Sequence, residues 1–133
     1  MLNSRSIIAF APTTNPKRAK KFYEQTLGLR LVSEDSFALV FDAGGTMLRV
    51  VTVPKLQPAG YTILGWKVPR IHSAIAQLKT KRVKFQKYAW LEQDKSGVWI
   101  SPAGAKIAWF LDADGNTLSL TEFPPAKKRR GGR

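Results

Sequence analysis

The chain repeats its own pattern. Two stretches read in the same order, strand, helix and then three strands, with a period of ~55 residues. In the first, SIIAFAPT is an apolar strand candidate closed by Pro12. Asn15 and Pro16 then place an N-cap residue before a proline at the first helical position, where a missing N–H costs nothing. Ala19, Phe22, Tyr23, Thr26 and Leu27 follow at helical spacing, and Gly28 stands where a left-handed C-terminal cap is wanted. LRLVSE, SFALVFD and TMLRVVTV read as strands, parted by the turn sequences Glu34-Asp35-Ser36 and Ala43-Gly44-Gly45. The stretch from Pro54 to Gly60 reads as a linker.

The second stretch follows suit. YTILGWKV is a strand and Pro69 opens a helix carrying Ile71, Ala74, Ile75 and Leu78 on one face. VKFQKYAW and GVWISP come next as strand candidates. AKIAWFLD and TLSLTEF follow, separated by a hairpin turn at Asp114-Gly115-Asn116. The expected fold is α+β: two βαβββ modules, about 5–54 and 60–123, forming an open curved sheet around a cavity, with both helices on the outer face. A single domain spans 1–125, and 126–133 reads as a flexible basic tail.

Composition narrows the chemistry. With no cysteine among 133 residues, disulfides, thiolate metal sites and cysteine nucleophiles are excluded. The opening residues lack a signal-peptide core, and no run approaches the ~18 apolar residues of a membrane span. A cytoplasmic protein without membrane partners is expected. The net charge is +13. Five of those charges sit in the closing KKRRGGR, which leaves +8 on the body. Both parts therefore attract anions.

Two motifs carry a family resemblance. NPKRAKKFYEQTLGLRLV is similar to the opening D-x-x-x-A-x-x-F-Y-x-x-x-L-G stretch of the vicinal-oxygen-chelate superfamily, with Asn15 in place of the acid. WFLDADGNTLSL is similar to that group's closing F-x-D-P-D-G-N-x-x-E-L, with Ala113 in place of proline. This is the superfamily of glyoxalase I, extradiol dioxygenases and bleomycin-resistance proteins. The resemblance covers roughly residues 6–123, and it implies a cavity for a small organic ligand and a homodimer.

It also implies a divalent metal held by His, Glu or Gln on strands of both modules. The matching positions here are Ile8, Ile63, Ser119 and about Arg49. None is a good ligand for such a cation, and Arg49 would repel one. His72, the only histidine, lies on the second helix, away from the cavity strands. No metal and no cofactor are expected, and the catalytic residues are unassigned.

Strand alternation selects the cavity lining. Ile8 brings Phe10; Arg49 brings Met47 and Val51; Ile63 brings Gly65 and Lys67; Ser119 brings Thr117 and Thr121. Leu48, Val50 and Phe110 then face the helices, which turns Trp109 and Leu111 inward; the phase of Trp99 is open. The candidate ligand-binding set is Ile8, Phe10, Met47, Arg49, Ile63, Lys67, Trp99, Trp109 and Ser119. Such a cup suits a flat ligand with an anionic or carbonyl end, because an arginine grips a carboxylate or phosphate through two parallel bonds.

Plainer readings stand beside these. Arg49 equally well snorkels to the rim or pairs with Glu122, Asp42 or Glu92. Trp99 and Trp109 serve as ordinary wall residues, and Ser119, with no histidine base beside it, as a passive one. Three functions follow. One is a metal-free binding protein, and bleomycin itself, a cation, is a poor match for its charge. The second is an enzyme with a divergent metal site at Glu92, Asp94 or Glu122, or with metal-free catalysis through Arg49 and Lys67. The third, ranked lowest, is weak nucleic-acid association through the tail, since a cluster without aromatic partners gives only salt-sensitive phosphate contact.

Overall fold

The computed structural model describes residues 1–126. Two four-stranded mixed sheets carry one helix each. In the first module, β1 (Ile8–Thr13), α1 (Pro16–Lys21), β2 (Arg30–Glu34), β3 (Ala38–Ala43) and β4 (Thr46–Thr52) give the sheet order β1-β4-β3-β2. In the second, β5 (Thr62–Lys67), α2 (Ile71–Thr80), β6 (Trp99–Ile100), β7 (Lys106–Leu111) and β8 (Thr117–Glu122) give the order β5-β8-β7-β6. Only the outer pairs β1/β4 and β5/β8 are parallel, as the helical crossovers demand. The duplicated pattern is therefore present as expected; the tail lies, save Ala126, outside the described residues.

Four elements depart from the sequence reading. The first helix is α-helical only to Lys21 and continues as a π-helical turn, Phe22–Thr26. Asn15 caps its start, accepting from the Arg18 N–H at 3.1 Å, and Gly28 closes it at φ 76°. The wider turn carries Tyr23, whose hydroxyl donates to Asp112 across the two modules at 2.6 Å. The second helix begins at Ile71, not Pro69, and its cap comes from a distant strand: Glu122 accepts the Ile71 N–H at 2.9 Å.

VKFQKYAW does not form a strand. It keeps one antiparallel bridge, Phe85 to Phe110, and GVWISP shrinks to β6. Side chains take over the bonding. Gln93 accepts from the Tyr88 N–H and donates to the carbonyls of Gln86 and Gly97, while Asp94 accepts from the N–H groups of Ser96 and Val98.

One core joins both modules. Leu39, Phe41, Leu48 and Val50 from the first sheet pack in the same cluster as Ile71, Ile75, Phe110 and Leu118 from the second. The joint between modules is a polar one. Asp112, buried, accepts from Tyr23, from the N–H groups of Asp114 and Asn116, and from the Asn116 amide, which also donates to the Pro12 carbonyl. Asp114 reaches back to accept from Thr13, Thr14 and Arg18. The sequence Asp112-Ala113-Asp114-Gly115-Asn116 is thus a clamp as well as a hairpin turn.

Candidate ligand-binding site

With Leu48 and Val50 turned into the core, the opposite face of the first sheet carries Ile8, Phe10, Met47 and Arg49. The apolar members are open to solvent; Phe10 is 58% exposed. Arg49 sits mid-strand and half-buried, with Phe10 opposite it on β1 and Val40 on β3. The three suggested partners are committed elsewhere or distant. Asp42 pairs with Arg30 at 3.1 Å, Glu122 with Lys106 at 3.7 Å, and Glu92 lines a cleft beside Trp99. Among the described residues no carboxylate lies within ion-pair distance of Arg49. Its field still reaches Asp35, whose carboxyl is held below the usual range first by the N–H groups of Phe37 and Ala38 and last by Arg49.

The second sheet presents an aromatic wall. Trp99 and Trp109 lie 6.2 Å apart, so Trp99 shares the face of Trp109. Tyr88 stands edge-on to Trp109 at 5.7 Å and lies 4.9 Å from Trp90. Trp90 is 77% exposed. Tyr88 and Trp90 were missed by reading VKFQKYAW as a ladder strand; their two-residue spacing put them on one face all the same. The Trp109 indole N–H donates to the Thr62 hydroxyl at 3.1 Å. Thr62 was missed too. A register shift between Thr62 and Leu64 leaves Ile63 unpaired, and Ile63 packs against the core instead of joining the wall.

Beyond that bulge Gly65 pairs with Ser119 and Lys67 with Thr121. A side chain at 65 would meet the Ser119 oxygen at 2.8 Å, so the glycine makes room for the serine, which is 6% exposed. Ser119 packs here and holds no base. The Lys67 ammonium lies over the Phe123 ring, 5.9 Å from its centre.

The structure does not gather all nine candidates into one cavity. Met47 lines a small cleft of about 190 Å³ with Val32 and Val40. Trp99 lines another of about 540 Å³ with His72, Asp94 and Lys106. Arg49 and the tryptophans stand on separate sheets.

The residues do not fit a divalent cation. Ile8, Ile63 and Arg49 offer no donor, and Ser119 is a poor one. Among the described residues no three His, Asp or Glu side chains converge on a point that could hold a metal. His72 bonds Asp94 at 2.8 Å, and that carboxyl is already engaged by the loop. Glu122 is held by Ile71 and Lys106.

Paired βαβββ modules, helices packed on one side of each sheet and open strands on the other, define a class of duplicated α+β fold. The chain belongs to the glyoxalase/bleomycin resistance protein/dioxygenase superfamily, whose family model matches residues 8–120. Its structure is similar to a glyoxalase family protein from Enterococcus faecalis, with TM-score 0.71 and 22% identity over 92% of this chain and 100% of that one. It is similar also to a bleomycin resistance determinant encoded on the transposon Tn5, with TM-score 0.71 and 19% identity over 90% and 98%. A lactoylglutathione lyase from Agrobacterium tumefaciens gives TM-score 0.68 and 14% identity over 89% and 93%. No curated protein sequence matches the chain. Among the described residues no helix is long and apolar enough to cross a membrane.

Proposed function

We propose that this protein binds a small aromatic molecule bearing an anionic or carbonyl group, without a metal ion. The observation that supports the reading is Arg49: a half-buried arginine set in an apolar sheet face, with no carboxylate within ion-pair distance among the described residues. A charge in that setting is stabilised by a partner that brings its own negative group. The wall of Tyr88, Trp90, Trp99 and Trp109 supplies the stacking surface for the ring. Since these two features stand on different sheets, the reading includes a homodimer that brings the arginine face of one chain against the aromatic face of the other. The exposure of Phe10 and Trp90 supports it, because large apolar patches on soluble proteins mark contact sites.

The test is a titration of the protein with aryl carboxylates and aryl phosphates, followed by tryptophan fluorescence. Saturable quenching is expected, weakened about 10- to 100-fold in Arg49→Ala, as loss of a desolvated charge-assisted bond implies. No saturable signal across the panel, or full affinity in Arg49→Ala, overturns the reading. Metal analysis after incubation with Mn, Fe, Co, Ni and Zn salts checks the other half. About one bound metal per chain would redirect the reading to a lyase or dioxygenase.

A further inference from the structure

Another cleft, of about 360 Å³, lies where the two modules meet. Phe22 and Thr26, the ends of the π-helical turn, form one wall. Lys81, Arg82 and Lys84, from the turn after α2, form the other, with Leu111 beside them. Three cations line this cleft and no acidic residue does.

Positive charge beside a helix C-terminus is favourable by itself, which accounts for Lys81. It does not account for Arg82. Among the described residues Arg82 is the only non-glycine with a left-handed backbone, at φ 68°. Its N–H donates to the Lys79 carbonyl at 3.0 Å and that of Val83 to the Leu78 carbonyl at 3.1 Å. These paired bonds end a helix on a left-handed residue that is ordinarily glycine, since a Cβ is strained there. The first module obeys the rule at its own helix end with Gly28. The second puts a guanidinium in the strained position, and that residue lines the cleft. The facing wall is irregular as well, the π-helical turn that carries Tyr23 to Asp112.

We propose that this cleft binds the phosphate group of a small phosphorylated molecule. Arg82 holds two phosphate oxygens, Lys81 and Lys84 supply charge around them, and Phe22 and Leu111 receive an apolar part of the ligand. The volume falls at the lower end of the ~300–1,000 Å³ common for small-ligand sites. A nucleic-acid backbone carries the same phosphate chemistry and is the other source to be distinguished.

The experiment is calorimetric titration of the full chain with phenyl phosphate and with a single-stranded oligothymidylate, in wild type, Arg82→Gly and Lys84→Ala. Arg82→Gly separates function from structure because it acts in opposite directions. It relieves backbone strain, so the melting temperature should rise by a few degrees while phosphate affinity falls about tenfold. Lys84→Ala should weaken binding with no change in melting. Phenyl phosphate bound saturably and lost in both variants supports the proposal. Oligonucleotide bound alone, and weakened in both variants, keeps the phosphate site and makes nucleic acid its source. No binding of either probe, or binding that both variants retain, overturns it. A fall in melting temperature for Arg82→Gly removes the argument from strain and with it the proposal.

Discussion

Removing one hydroxyl should loosen the joint between the modules. Tyr23 is buried and donates to Asp112 at 2.6 Å, and Asp112 also accepts from two N–H groups and the Asn116 amide. Tyr23→Phe keeps the ring, with its contacts to Phe22 and Phe41, and deletes only the donor. A hydrogen bond to a charged acceptor contributes about 1.5–3 kcal/mol net, and the three remaining donors still satisfy Asp112, so the lower half of that range applies. For 133 residues the unfolding entropy is about 280 cal/mol/K, so a loss of about 2 kcal/mol lowers the melting temperature by roughly 7 °C. The pH dependence gives a second check. Burial first, then the Asp112 charge, pushes the Tyr23 hydroxyl well above its ordinary 10.0. The unfolded chain therefore releases this proton at lower pH than the folded one. The resulting stability is intact below about pH 10 and declines above it. Thermal unfolding followed by circular dichroism should show the variant melting lower at pH 7, with the gap narrowing above about pH 10. A shift under about 1 °C at pH 7, or a gap that widens in alkali, would refute the reasoning.

Two further outcomes follow from the same structure. Gly65→Ala should destabilise, since its Cβ would sit 2.8 Å from the Ser119 oxygen, and adding Ser119→Ala should restore most of the loss; additive losses in a double-mutant cycle would deny the contact. On acidification, Asp35, Asp42 and Glu122 should all withdraw stability. Their carboxyls are held low, first by the N–H groups of Phe37, Gly45 and Ile71 respectively, so the unfolded chain binds protons first and stability is lost as pH falls below about 4. A melting temperature that stays flat from pH 6 to pH 2 would contradict this.

Much of the fold was legible because it rests on local signals. The Asn15-Pro16 cap, Gly28, the glycine turn after β3 and the alternation along β4 each state their geometry within a few residues. What escaped was bonding between distant positions. The cap of α2 comes from Glu122, the π-turn answers to Asp112, and residues 83–98 hang on Gln93 and Asp94 where the alternation of VKFQKYAW suggested a ladder. Period alone does not show whether a partner strand is present. The site was legible to the same degree. Phase placed Arg49 and Trp109 on open faces and left Trp99 undecided, and a single bulge moved Ile63 out and Thr62 in. Neither Tyr88 nor Trp90 was visible as part of the wall until their loop was folded back on β7.

The way that loop is held has an evolutionary consequence. Backbone pairing ties a strand's sequence to its neighbours, so altering one position disturbs the whole sheet. Beyond the Gln86 N–H, which still donates to the Trp109 carbonyl, the segment bearing Tyr88 and Trp90 is fastened at Gln93 and Asp94, two points that leave residues 87–91 without sheet obligations. Its aromatic face is in effect an interchangeable part. Replacement of Tyr88 or Trp90 can change the shape of this exposed surface while β7 and β8 keep their register.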